Sequence, residues 1–187
     1  MEKVLVTGAS GYIAEHCIVE LLKNGYAVKG SLRNMERENE VRDAIKKETQ
    51  DDNLEFCQLD LLNDDGWDDA MWDCDYLMHV ASPFTIDAPK DENELIKPAK
   101  EGTLRALNAA KKAGIKKVVL TSSTAAISSH MKGGTADHDT WTDINSEYVT
   151  AYQKSKTIAE KAAWEFINNQ DENNKLEMAV INPGGVM

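Results

Sequence analysis

The sequence predicts an α/β protein with a doubly wound parallel sheet and helices on both faces. Short β-rich runs alternate with amphipathic helical runs six times along the chain. This alternation is typical of a parallel sheet, and right-handed crossovers place the connecting helices on its two faces. A length of 187 residues suits a single domain with its own core, so we treat residues 1–187 as one domain.

The elements follow one another in a regular order. The predicted strands cover residues 3–8, 26–33, 54–61, 75–82, 116–123 and 176–183. The predicted helices cover residues 11–24, 34–50, 64–73, 92–113 and 147–169, and residues 128–146 are polar and irregular. In the first helix the apolar spacing points five side chains inward, namely Ile13, Cys17, Val19, Leu21 and Leu22. Gly25 then ends that helix.

Composition and charge exclude several classes of function. A net charge of −11 argues against a nucleic acid partner, which requires a basic face. No apolar run has the 18 or more residues of a membrane span, and the N-terminus shows no signal peptide, so we expect a cytoplasmic protein. Neither cysteines nor histidines show metal-ligand spacing, so no metal is expected; they are Cys17, Cys57, Cys74, His16, His79, His130 and His138.

The stretch VTGASGYIA joins the first strand to the first helix and predicts a phosphate-binding turn. Gly8 and Gly11 permit a tight turn and a close backbone approach, and Ala14 lets the helix pack on the strand. Free N–H groups at a helix start can hold a pyrophosphate. The alternative is an ordinary βα turn that happens to contain two glycines. A doubly wound sheet binds ligands at the carboxyl ends of its strands, where we expect Gly8, Arg33, Asp60, Ala81, Ser123 and Pro183.

The ends of the second and third strands bear on cofactor choice. Arg33 stands where an NAD-selective fold usually has an acid, and Arg37 follows one turn later. A guanidinium suits a 2′-phosphate, which favours NADPH over NADH; the alternative is a pair of surface arginines. Asp60 and Leu61 could hold and cover an adenine, although Asp60 could equally be a cap or turn residue.

The helical stretch AYQKSKTIAEKAAW carries Tyr152 and Lys156 one turn apart on the same face. The alternative to a catalytic pair is a lysine that extends past a half-buried tyrosine. Tyr148, expected on the same helix, has no lysine four residues on, and Lys154 is expected to be solvated.

Together these motifs resemble the extended short-chain dehydrogenase/reductase superfamily, which has a Rossmann-type fold. The glycine turn, YQKSK, VVLTSSTAA and INPGGVM occur in the family's order. HVASPF, SLRN and TIAEKAAWEF are most similar to the dihydroflavonol 4-reductase-like group, which includes cinnamoyl-CoA reductases and ketone or methylglyoxal reductases. The same motifs contain the remaining candidate cofactor-binding residues: Thr7, Ser10, Tyr12, Ile13, Val80, Ala81, Ser82, Thr121, Pro183 and Val186.

The resemblance implies reversible hydride transfer between NADPH and the carbonyl of a small molecule. It assigns Tyr152 as proton donor, Lys156 as the ammonium that favours the phenolate and holds the nicotinamide ribose, and Ser123 as a hydrogen-bond donor to the carbonyl oxygen. Ser122 is the alternative serine, because neighbouring strand residues face opposite ways. His79 is interpreted as packing or ribose-side scaffolding.

The sequence departs from the family in two places. Glu101 occupies the position of a relay asparagine, and family members continue well beyond the NPxxV segment, so the C-terminal substrate domain is expected to be absent. Two other functions stay open: a nucleotide-sugar epimerase or dehydratase, and an NADPH-sensing protein without turnover. The resemblance also implies a possible homodimer through the helices at 92–113 and 147–169.

Overall fold

A six-stranded, fully parallel sheet forms the centre of the computed structural model, which describes residues 1–50, 52–85, 87–129 and 133–186. The strands are β1 Lys3–Val6, β2 Ala27–Leu32, β3 Leu54–Gln58, β4 Tyr76–His79, β5 Lys117–Thr121 and β6 Glu177–Ile181. Their order across the sheet is β3-β2-β1-β4-β5-β6, and β1 pairs with both β2 and β4. The strand order reverses next to β1, as predicted for a doubly wound sheet.

Five helices cover the two faces of this sheet within the described ranges. They are α1 Tyr12–Lys23, α2 Glu38–Lys46, α3 Trp67–Met71, α4 Asn93–Ala113 and α5 Ala151–Asn168. Alternate β1 side chains divide the core, because successive strand residues point to opposite faces. Leu5 belongs to the cluster that contains Leu107 of α4 and Ala163 of α5. Val4 belongs to the cluster with Ile18 of α1 and with residues of α2. The predicted α/β class with helices on both faces is confirmed.

The strands are shorter at their carboxyl ends than the sequence predicted. β1 ends at Val6 and β4 at His79, because the residues that follow turn away into loops at the edge of the sheet. Prediction did not identify short 3-10 helices at Met35–Arg37, Thr124–Ala126 and Glu172–Asn174. His130 and Met187, which entered the sequence predictions, lie outside the described residues.

Helix α5 begins at Ala151 rather than at residue 147, which corrects the placement of Tyr148 on that helix. Thr150 forms a capping box with Gln153: the Thr150 hydroxyl accepts from the Gln153 N–H, and the Gln153 side chain accepts from the Thr150 N–H. Two helix-start donors are satisfied in this way, so the helix begins here. The cap also places Tyr152 and Lys156 in the first two turns.

The predicted inward face of α1 is only partly correct. Ala14, Ile18 and Val19 are its buried residues. Ile13 and Cys17 instead line an apolar groove of about 660 Å³. Leu21 and Leu22 are half-buried against the core, and Leu21 also borders the groove. The helix therefore packs with a face rotated toward Ile18. No described helix is both long and apolar enough to cross a bilayer.

Candidate functional site

The loops at the carboxyl ends of the strands enclose a cleft of about 1220 Å³. All candidate residues from the sequence except Pro183 line this cleft: Thr7, Gly8, Ser10, Gly11, Tyr12, Ile13, Arg33, Arg37, Asp60, Leu61, Val80, Ala81, Ser82, Thr121, Ser123, Tyr152, Lys156 and Val186. Residues distant in sequence meet here because parallel strands all end at the same edge of the sheet. The cleft is long enough to combine the Arg33 end, the glycine turn and the Tyr152 end in one site.

Gly8 is required by the geometry of the first turn. Its φ is +72°, and a Cβ there would lie 3.0 Å from the Cα of Ala81 on the neighbouring loop. The Gly8 N–H donates to the Ser31 hydroxyl at 3.1 Å, so Ser31 helps to hold the turn. Gly11 caps α1 without any side-chain hydrogen bond, which leaves the N–H groups at Tyr12 and Ile13 directed at the cleft. These donors suit a phosphate.

Thr7 and His79 fix the loop that faces the glycine turn. The Thr7 hydroxyl oxygen accepts from the N–H groups of Val80 and Ala81, both at 3.0 Å. Its proton is therefore directed to the Nδ1 of His79, 2.9 Å away. Burial, assisted by the nearby Lys156 charge, lowers the pKa of His79 to about 3, so the ring is neutral and carries its proton on Nε2. His79 thus supports the loop backbone, in line with its interpretation as scaffolding.

The two arginines at the end of β2 differ in their freedom. Arg37 is held by Glu40 through two hydrogen bonds, of 2.9 Å from Nε and 2.7 Å from Nη2, which raise its pKa. Arg33 lines the cleft, and its side chain makes no ion pair with any residue in the described part of the chain. Arg33 is therefore the guanidinium available to an anion. Asn34, which prediction missed, caps the next turn by accepting from the Glu36 N–H at 3.0 Å.

Asp60 and Leu61, which follow β3, both line the cleft. One carboxylate oxygen accepts from the Leu62 N–H at 2.8 Å, which is the turn role that the sequence left open. Its lining position is equally compatible with an adenine contact. Gly102 of α4 lies against Leu61, since a Cβ on Gly102 would come within 2.6 Å of a Leu61 methyl carbon. This close packing fixes the position of Leu61.

Lys156 is the buried cation at the other end of the cleft. Its side chain is 7% exposed, and Nζ donates to the Thr121 carbonyl at 3.2 Å. Burial lowers the pKa of Lys156 to about 8, while the Glu160 carboxylate opposes that fall. Tyr152, one turn earlier, is half-buried, and its ring makes an edge-on contact with Phe84 at 5.5 Å between centroids. Phe84 was not predicted as a site residue; its only signal was its place in the HVASPF stretch.

Both serines at the end of β5 lie at this end of the cleft. The Ser123 hydroxyl accepts from the Ala125 N–H at 3.1 Å and so caps the following turn. The Ser122 hydroxyl is buried and has no hydrogen-bond partner among the described residues. Their different surroundings agree with side chains on opposite sides of the strand. The choice of Ser123 over Ser122 stays a prediction.

Other candidates take positions that the sequence did not indicate. Pro183 lines the apolar groove beside α1 rather than the cleft, and its carbonyl accepts from the Thr124 N–H at 2.9 Å. Glu101, at the relay position, is bound by Arg105 at 3.4 Å. Lys154 is not simply solvated, because Glu92 pairs with it at 2.7 Å. Within the described residues, no group of three or more His, Cys, Asp or Glu side chains could hold a metal ion.

A Rossmann-type sheet with a glycine turn, an arginine and a Tyr–Lys pair on one cleft defines a dinucleotide-binding protein of the extended short-chain dehydrogenase/reductase type. The model of the NAD dependent epimerase/dehydratase family matches residues 4–184. The chain belongs to this family.

Several relatives are similar over nearly all of this chain. A cinnamoyl-CoA reductase of Medicago truncatula is 38% identical over 98% of the chain and 57% of its own length. A bifunctional dihydroflavonol 4-reductase/flavanone 4-reductase of Malus domestica is 34% identical over 97% of the chain and 55% of its own length. The crystal structure of a yeast methylglyoxal/isovaleraldehyde reductase, complexed with NADPH, is 32% identical over 97% of this chain and 57% of that one, with a TM-score of 0.84. The predicted resemblance is confirmed, and the chain spans little more than half the length of these relatives.

Proposed function

We propose that this chain is the cofactor-binding domain of an NADPH-dependent reductase that acts on an aldehyde or ketone of a small molecule. The observation that carries the proposal is a single cleft with a free Arg33 at one end and Tyr152 with buried Lys156 at the other. The relatives support it, since their names describe reductases and the yeast enzyme was solved with NADPH. An arginine at the ribose end favours a 2′-phosphate, and a Tyr–Lys pair at the other end suits proton donation.

The described residues fit the dinucleotide phosphates. The turn at Gly8 is tightly packed, since a Cβ there would lie 3.0 Å from Ala81. The uncapped start of α1 presents N–H groups that can donate to a pyrophosphate. Arg33 would hold the 2′-phosphate, and Asp60 with Leu61 would contact the adenine. Lys156 would hold the nicotinamide ribose.

The chemistry at the Tyr152 end follows from proton affinity and position. NADPH, when bound, would supply the hydride that the carbonyl carbon accepts. The Tyr152 hydroxyl then gives its proton to the carbonyl oxygen, and the ammonium of Lys156 stabilises the phenolate that is left behind. The Ser123 hydroxyl, or failing that the Ser122 hydroxyl, donates a hydrogen bond to the same oxygen and stabilises its developing charge.

Fluorescence titration of the 187-residue chain with NADPH, and in parallel with NADH, tests the cofactor assignment. We expect saturable binding with NADPH clearly tighter than NADH. Absence of binding to both would contradict the assignment of this chain as a cofactor-binding domain, and a preference for NADH would contradict the role of Arg33.

The variant Tyr152→Phe tests the chemistry separately from binding. It removes one hydroxyl and keeps the ring, including its contact with Phe84. We expect turnover with a panel of small aldehydes and ketones to fall at least about 100-fold, because a general acid contributes about 10²–10⁴. NADPH affinity should be retained. Undiminished turnover in this variant would refute the proton-donor role.

Pairing of two copies through α4 and α5, and a cytoplasmic location, remain predictions from the sequence. Sedimentation of the purified chain tests the first, and localisation of a tagged chain in cells tests the second.

A further inference from the structure

Glu160 is a buried carboxylate for which the proposed chemistry gives no role. It lies on α5 one turn beyond Lys156, and only 5% of its surface is exposed. No ion pair involving Glu160 occurs in the described part of the chain, and its oxygens accept from Asn182 Nδ2 at 2.8 Å and from Trp164 Nε1 at 3.4 Å. Removal of a carboxylate from water is costly unless a positive charge or strong donors lie nearby. Two uncharged donors alone compensate only part of the cost of burying this carboxylate.

Asn182 connects Glu160 to the serine loop. Its Nδ2 donates both to the Glu160 carboxylate and to the Ser123 carbonyl, at 2.8 Å and 3.1 Å. The carboxylate is thereby held at one fixed place between α5, the end of β6 and the end of β5. The position of the Glu160 carboxylate relative to the side chains around it is therefore constant.

Glu160 and Lys156 both line one small cavity of about 10 Å³. Its lining also includes Thr103 of α4 and Ser122, which directly follows β5. Ser122 carries a buried hydroxyl that has no hydrogen-bond partner within the described residues. A polar cavity of roughly this volume accommodates a single water molecule with two to four partners. One water here could join the carboxylate, the ammonium and the serine hydroxyl.

We propose that Glu160 is the buried counter-charge of Lys156, acting across this one-water cavity to keep the lysine in its ammonium form. The described titratable groups around Lys156 are Tyr152 and Glu160 on its own helix and His79 on β4. The neighbouring hydroxyl residues are Thr103 on α4, Thr121 at the end of β5 and Ser122 directly after it. His79 is neutral, and the Glu160 carboxylate supplies the negative charge in this set. Glu160 is therefore a positioning residue that acts through Lys156, and its importance for turnover rests on the proposed function.

Two substitutions separate charge from shape at this position. Glu160→Gln keeps the size and an oxygen that can accept from Asn182, but it removes the charge. Glu160→Asp keeps the charge and shortens the side chain. The measurement is the pH titration of the Lys156 signal by NMR of ¹³C-lysine-labelled chain, assigned by its absence in Lys156→Met. This readout needs neither cofactor nor turnover.

We expect the pKa of Lys156 to fall from about 8 to about 7 or below in Glu160→Gln, and to stay close to 8 in Glu160→Asp. The variant Glu165→Gln, at an exposed position five residues on, should leave the Lys156 titration unchanged. An unchanged Lys156 titration in a folded Glu160→Gln would overturn the proposal. So would equal falls in Glu160→Gln and Glu160→Asp, because shape would then matter rather than charge. NADPH titration of the same samples shows separately whether the proposed function holds.

Discussion

Replacement of Lys156 by methionine should stabilise the fold at neutral pH. The ordinary pKa of a lysine, 10.5, falls to about 8 here because the side chain is buried. At about 1.4 kcal/mol per pKa unit, this fall corresponds to roughly 3 kcal/mol that the folded state loses by holding the charge. Methionine has nearly the same length and no charge. Loss of the hydrogen bond to the Thr121 carbonyl costs about 1 kcal/mol, so the net gain should be about 2 kcal/mol.

The pH dependence of this gain gives the sharper test. Below pH 8 the lysine is protonated in both folded and unfolded chains, so the full penalty is present. Between about pH 8 and 10.5 the unfolded chain binds the proton and the folded chain does not, so the wild type becomes more stable as the pH rises. The advantage of Lys156→Met should therefore shrink through this window. Other groups titrate there too, but they cancel in the difference between the two proteins.

Urea denaturation at pH 7 and pH 9.5 measures the effect, and a gain of about 2 kcal/mol corresponds to about 4–8 °C in Tm for a domain of this size. Lys154→Met is the matched control, two residues away and paired with Glu92 near the surface. It should change stability by less than about 1 kcal/mol at either pH. If Lys156→Met is no more stable than Lys154→Met at pH 7, or if its advantage grows toward pH 9.5, the assigned burial penalty is wrong.

Two further predictions concern the cofactor end of the cleft. Arg33→Ala should weaken NADPH binding by about tenfold or more and leave NADH binding nearly unchanged, since a hydrogen bond to a charged group contributes about 1.5–3 kcal/mol. Arg37→Ala should have a smaller effect in the same titrations, because Glu40 already binds the Arg37 guanidinium. Equal losses of NADPH affinity in the two variants would contradict the assignment. Gly8→Ala should weaken NADPH binding strongly, because its Cβ would lie 3.0 Å from Ala81 and displace the turn. Gly25→Ala has a similar φ of +81° and open space, so it should cost about 1–2 kcal/mol in urea denaturation and retain the affinity. Equal loss of binding in both variants would show that backbone strain alone is responsible.

The sequence predicts the position of the site better than the hydrogen bonds and ion pairs within it. Every strand end expected at the binding edge except Pro183 lines the cleft, because a parallel alternation determines which ends of the strands meet. Boundaries are less predictable, since the start of α5 depends on a reciprocal bond between Thr150 and Gln153 rather than on apolar spacing. The face of α1 was missed for a related reason. Ile13 and Cys17 have apolar spacing, and nothing local distinguishes a groove from a core.

Partner choice among polar groups is the part that local sequence does not encode. The sequence alone does not distinguish Arg33 from Arg37. Glu40 on the following helix binds Arg37, which leaves Arg33 available to a phosphate. Glu101 and Glu160 are likewise two acids on neighbouring helices. The first is bound by Arg105, and the second is buried behind the lysine of the Tyr–Lys pair.

These pairings have a common physical basis. A buried charge is tolerated only where the surrounding elements converge to compensate it, so its presence reports on several elements at once. Lys156 donates a hydrogen bond to the Thr121 carbonyl of β5, and the Glu160 carboxylate favours its charged form. Asn182, directly after β6, donates a hydrogen bond to that carboxylate. A shift of any of these strand ends would alter the charge state on which the proposed proton transfer depends. The titration of Lys156 is therefore a direct measure of whether the carboxyl edge of the sheet is correctly assembled, even in the absence of cofactor and substrate.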